Sequence, residues 1–233
     1  MAPNVLVVLT SHDEIPGKGP TGWFLPEFAH PYDVLSKKTN LTIASPLGGV
    51  APLDPGSVQM FASDPSSQAF LKNNESLWKN TEKLSDIIPR ADEFDAIFYV
   101  GGHGPMFDLA QDPESLKLIQ TFAAARKPVA AVCHGPAVFV NATLPSGESL
   151  LAGAEVTGFS NLEEDQVQLS SFMPFMLETE LQRKAGSYVK ADEPWGPKVV
   201  SSRVAGFGGA LITGQNPASA TGVGEAILAA LGL

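Results

Sequence analysis

Cys133 and His134 stand side by side in Ala130-Ala131-Val132-Cys133-His134-Gly135-Pro136-Ala137, the sole cysteine of the chain next to one of its 4 histidines. An apolar run ends at the thiol, and small or helix-starting residues follow it. That is the pattern of a strand-to-helix turn that lifts a nucleophile above the C-terminal edge of a parallel sheet. At a helix N-terminus the peptide dipoles would favour thiolate over thiol. The backbone N–H of His134 would then face an oxyanion formed by attack on a carbonyl. A lone cysteine is more often a small core hydrophobe, but the His-Gly-Pro directly after this one favours chemistry. One thiol permits neither an internal disulfide nor a cysteine-built zinc site.

A second turn, Tyr99-Val100-Gly101-Gly102-His103-Gly104-Pro105, closes another apolar run with glycines that let backbone N–H groups approach a ligand. Neighbouring strands of a parallel sheet end at one edge, so Gly102 is expected to give a second oxyanion donor opposite His134. The turn lacks the spacing and lysine of a phosphate loop.

The elements that would position these turns follow from the apolar runs. Asn4–Thr10, Leu41–Ser45, Ala96–Val100 and Pro128–Cys133 read as strands buried on both faces. Helical stretches are expected at Gly22–Lys38, Thr81–Ile88, Pro113–Ala125 and Gly135–Val140. Strands alternating with helices imply right-handed crossovers and a mostly parallel sheet, an α/β sandwich. Farther along come a short strand at Glu155–Thr157, a helical stretch from Asn161 to Gly186, and an edge hairpin of Lys198–Val204 with Ala210–Thr213. A C-terminal helix opens with Asn216 as N-cap and Pro217 at its first position. Pro46–Pro65 reads as a long loop without regular structure.

The 233 residues carry 15 Lys+Arg against 25 Asp+Glu, a formal charge of −10. At 44% hydrophobic and 17% charged, the chain is too apolar to stay disordered. Its length fits a single domain over residues 1–233. Nucleic acid is not expected as a partner, because the densest basic run is Lys37-Lys38. A membrane is not expected either, since no stretch is continuously apolar for a span and Asn4–Thr10 is too short for a signal segment. A cytoplasmic or nuclear location is expected.

Five segments together carry a specific likeness: Gly22-Trp23-Phe24-Leu25-Pro26-Glu27-Phe28-Ala29-His30-Pro31, Gly101-Gly102-His103-Gly104, Ala131 to Ala137, Thr157-Gly158-Phe159-Ser160-Asn161-Leu162-Glu163-Glu164, and Thr213 to Ser219. In that order they resemble the ThiJ/PfpI superfamily, and within it the fungal heat-shock glyoxalase III group, from about Val5 to the C-terminus. The resemblance implies a flavodoxin-like three-layer sandwich with a nucleophile elbow at Cys133. It implies His134 as the paired base, Glu164 as the residue orienting that histidine, and Glu27 as a hydrogen-bond partner of the sulfur. Glu163 and Glu164 are adjacent, so only one should reach His134; Glu164 is preferred and Glu163 is the substitute. His103 and Trp195 are expected to line the pocket, with His12 and His30 structural.

The implied activity is glutathione-independent conversion of methylglyoxal to lactate, a lyase reaction on a small 2-oxoaldehyde that needs no metal and no cofactor. The same resemblance admits a holdase chaperone with unfolded-protein clients on Phe172–Leu177, repair of glycated proteins, a cysteine oxidation sensor, and a homodimer. Val132 and Pro136 around the thiol depart from glutamine amidotransferases of related fold. His134 departs from the short branch that usually lacks a histidine after the cysteine.

Overall fold

A computed structural model describes residues 2–233. Seven strands form one sheet, in spatial order Val199–Arg203, Ala210–Gly214, Val129–Val132, Ala96–Tyr99, Asn4–Val8, Asn40–Ser45 and Glu82–Lys83. All pairings are parallel except that of the edge strand Val199–Arg203 with Ala210–Gly214, the C-terminal hairpin. The central strands bury both faces: Val5 to Val8, Ala96 to Tyr99 and Val129 to Val132 have no exposed surface. That burial explains their unbroken apolar sequence, because helices cover a parallel sheet on both sides.

The helices Leu25–Leu35, Pro65–Asn73 and Ala220–Ala230 form one packed group, and Leu84–Ile87 with Pro113–Ala124 form another. Gly224 lets the first and last helices meet, since a Cβ there would lie 3.2 Å from the Pro31 Cα. Beneath this group Trp23 sits edge-on to Phe28 and Phe70, with ring centroids 5.8 and 6.3 Å away. Each such buried aromatic contributes about 1.5–3 kcal/mol of apolar transfer. This aromatic cluster anchors the entry to the helix that carries Glu27.

Several expectations need correction. The first helix begins at Leu25 because the Trp23 N–H donates to the Pro52 carbonyl at 2.9 Å, which holds the preceding residues extended. Pro46–Pro65 is not all loop, because Asp54 caps a helix at Pro55–Met60 by accepting from the Ser57 N–H. Of Thr81–Ile88, Leu84–Ile87 is α-helical and Ile88 opens a 3₁₀ helix, while Glu82–Lys83 adds an edge strand. The stretch Asn161–Gly186 divides into Asn161–Gln166, a 3₁₀ turn at Ser170–Phe172, and Leu177–Lys184. Gln168, at φ 60°, and Pro174 interrupt it. Gly135–Phe139 is a 3₁₀ turn rather than an α-helix. Asn216 precedes a 3₁₀ turn at Pro217–Ser219 without capping a backbone N–H, because its Oδ1 accepts from the Ser219 hydroxyl instead.

In the Phe172–Leu177 segment Phe172, Met173, Phe175 and Met176 are half-buried and Pro174 is exposed. Leu177 is buried, while Met173 and Phe175 pack against the core. Among the described residues, no helix is long and apolar enough to cross a membrane.

Candidate active site

Strand register gathers the site. Val8 pairs with Tyr99, and Tyr99 with Ala131, so the segments after Val8, Tyr99 and Val132 leave the sheet together. Cys133 follows at once with φ 60°, in the left-handed region that a side-chain-bearing residue rarely adopts. Two backbone bonds hold it there: its N–H donates to Gly214 O and its carbonyl accepts from the Phe159 N–H, both at 2.9 Å. Strain of this kind persists where the surroundings over-determine it, and it clusters at functional sites.

On one side of the thiol, His134 Nδ1 lies 3.4 Å from Sγ. His134 Nε2 is 2.6 Å from Glu164 Oε2, and His103 Nε2 is 2.9 Å from Glu164 Oε1. A carboxylate accepting from both rings fixes each as the Nε2–H tautomer. That leaves the lone pair of His134 Nδ1 turned to the thiol. Burial and the neighbouring His103 hold the His134 pKa below its ordinary value, so the ring is neutral at neutral pH. Burial opposes ionisation of Glu164, but the two imidazoles outweigh it and keep the carboxyl well below the usual range.

On the other side lies Glu27, a completely buried carboxyl from the first turn of its helix. The Cys133 thiol and the Gly101 and Gly102 amides are the polar groups that face it. None closes to full hydrogen-bond geometry on either oxygen. Burial raises its pKa well above the ordinary value, and Glu27 holds its proton. The contact demands glycine at 101, where a Cβ would lie 2.3 Å from Glu27 Oε2 and 2.5 Å from Val132 O.

One expectation changes here. Burial pushes the Cys133 thiol up rather than down. The five-residue 3₁₀ turn that follows has too few aligned peptides to reverse this. The resting group is therefore a thiol, with the His134 Nδ1 lone pair beside it. Gly102 lines the cavity, with its amide towards Glu27.

Glu163 takes no part in the histidine pair. Its carboxylate accepts from the Ser160 N–H and Oγ, from Gln215 and Asn216 side chains, and from the Trp195 N–H at 2.9 Å. These donors outweigh its burial and hold it below the ordinary carboxylate range. Ser160 and Glu163 form a capping box, a pattern that the Ser-x-x-Glu spacing carries in the sequence. The part played by Gln215 and Asn216 had no such local signal.

Cys133, His134, Glu27, Gly102, His103 and Trp195 all line one cavity of about 310 Å³. Phe24, Met60 and Phe159 share its apolar wall with Ile15, Val167 and Leu169, and none of these was assigned to the pocket from the sequence. His12 stacks on Phe107 and His30 pairs with Asp64 at 2.8 Å, both outside the cavity lining. The ligand atoms of His103, His134 and Glu164 lie within 4.8 Å of one another, close enough to share a divalent ion. Both Glu164 oxygens are already engaged by the imidazoles.

A buried thiol thus stands at a strained elbow of an α/β sandwich, flanked by a protonated carboxyl and a carboxylate–histidine pair. The chain belongs to the DJ-1/PfpI family, whose model matches residues 27–230. It is 32% identical to Glyoxalase 3 of Candida albicans over 97% of each chain. It is 27% identical to glutathione-independent glyoxalase HSP31 of Saccharomyces cerevisiae over 94% of each. The crystal structure of glyoxalase III from Candida albicans superposes with a TM-score of 0.86 at 31% identity, covering 98% of this chain and 97% of that one.

Proposed function

We propose that this protein is a glutathione-independent glyoxalase that converts methylglyoxal and water to lactate. One observation carries the reading: the Cys133 thiol lies between a neutral His134 Nδ1 and a buried, protonated Glu27 at the base of a cavity. The full-length likeness to two fungal glyoxalases supports it.

In this scheme His134 Nδ1 takes the thiol proton as sulfur adds to the aldehyde carbon, and Glu164 stabilises the resulting imidazolium. Glu27 gives its proton to the aldehyde oxygen, which completes a hemithioacetal. Its carboxylate, poorly solvated and hence a strong base, then removes the proton on that carbon. His134 returns the thiol's proton to the adjoining oxygen, giving an enediol. Glu27 delivers its proton to the second carbon and recovers the one on the first oxygen, leaving a lactoyl thioester. Water, deprotonated by His134, hydrolyses the thioester, and the departing sulfur takes that proton back. Both residues end as they began. This is a lyase of the glyoxalase III type, with no redox partner because one carbon is oxidised as its neighbour is reduced.

The test is lactate formation from methylglyoxal without glutathione or added metal, for the native protein, Cys133→Ala and Glu27→Gln. Robust formation lost in both variants is expected. No lactate from a folded, reduced native sample would end this reading.

A further inference from the structure

The cavity is larger than methylglyoxal requires. Its 310 Å³ is the room of about ten liquid waters, while a five-heavy-atom 2-oxoaldehyde needs that of about three. The lining around that surplus is mainly apolar, with Lys18 and Asp54 the charged side chains beyond the reacting groups. The Phe159 ring lies 4.3 Å from the His134 ring and edge-on to Trp195 at 5.5 Å. Phe24 and Met60 face the same space, and Met60 is 66% exposed there.

The Trp195 wall is held at a cost in backbone strain. This bulky residue has φ 64°, its N–H is fixed by the buried carboxylate of Glu163, and its indole N–H donates to Gln166 Oε1 at 2.6 Å. Strain sustained by a five-donor network is a means of placing an indole that is itself 41% exposed.

We infer that the site is built for 2-oxoaldehydes bearing a bulky apolar substituent, aromatic or branched, seated between Phe159, Trp195, Phe24 and Met60 while the dicarbonyl lies against Cys133. The inference rests on the glyoxalase reading above and names the substrate class. The chemistry is unchanged: sulfur adds to the aldehyde carbon, the proton on that carbon moves to its neighbour, and water releases a 2-hydroxy acid.

Phenylglyoxal, which yields mandelate, is the probe. kcat/KM is measured for phenylglyoxal and methylglyoxal on the native protein, Trp195→Ala and Trp195→Phe. The native ratio should favour phenylglyoxal by about tenfold or more, the value of burying one aromatic ring. It should fall by about that factor in Trp195→Ala and largely survive in Trp195→Phe. Because each ratio is taken on one sample, partial misfolding cancels. A native preference for methylglyoxal, or a ratio unmoved by Trp195→Ala, overturns the inference and leaves the glyoxalase reading standing. Turnover of neither substrate by folded protein overturns both.

Discussion

Glu163 and Glu164 are adjacent in the chain and serve separate networks. Glu164 joins His134 and His103, whereas Glu163 collects Ser160, Gln215, Asn216 and the Trp195 N–H. Successive residues on a helix point about 100° apart, so one carboxylate can face the thiol's histidine only if the other faces away.

Their Gln variants should therefore fail differently. Glu164→Gln removes the anion that sets the His134 tautomer, and kcat/KM should fall about 10²–10³-fold with the fold intact. Glu163→Gln leaves that pair alone but weakens several charge-assisted bonds, so the larger change should be in stability, on the order of 2–3 kcal/mol. Thermal melts alongside kinetics distinguish the two, and identical profiles would contradict the division.

Acid should expose the same carboxylates. Both have folded pKa values below the ordinary 4.5, so the stability they give is present above that pH and lost as pH falls below it. The melting-temperature gap between native protein and Glu163→Gln should narrow as pH drops below 4.5. A gap that widens with acid would be contrary.

Glu27 has the opposite sign. Its folded pKa is raised by burial, so the unfolded chain releases the proton first and native stability declines as pH rises above 4.5. Glu27→Gln keeps the shape without the ionisation. It should match native protein at pH 4 and be the more stable of the two at pH 8, while turnover falls about 10²–10⁴-fold. A variant less stable than native at pH 8 would reverse the assignment of Glu27 as a neutral, buried acid.

Gly101→Ala should damage both fold and activity. Its Cβ would enter the space of Glu27 Oε2 and the Val132 carbonyl, and overpacking against backbone costs about 1–3 kcal/mol. Lactate formation should be lost along with several degrees of melting temperature. Retention of both would mean that the close approach at Glu27 is not required.

Dialysis against a chelator should leave lactate formation unchanged, because the scheme needs no ion. Added zinc should inhibit by competing with the histidines for Glu164 in the cluster of His103, His134 and Glu164. Loss of activity on chelation, restored by metal, would replace the proton-transfer account of Glu164.

The sequence by itself determined the local things. Continuous apolar runs marked the central strands, since burial on both faces leaves no alternation to read. Cys133-His134-Gly135 marked the elbow, because a sharp turn off such a strand needs small residues behind the nucleophile. The Ser160-x-x-Glu163 spacing carried a helix start, a pattern that acts within one turn. Tertiary structure decided what depends on distant neighbours. The 3₁₀ turn after Cys133 and the burial of its thiol set the direction of its pKa, against what a helix start alone implies. Helix phase assigned Glu163 and Glu164 their separate partners. Asn216, by its place a helix cap, spends its amide on Glu163 and Gly196, because a buried charge draws in donors from across the fold. The width of the cavity came last of all: Phe24, Met60, Phe159 and Trp195 lie in four separate segments, and nothing in their own neighbourhoods says that they share a wall.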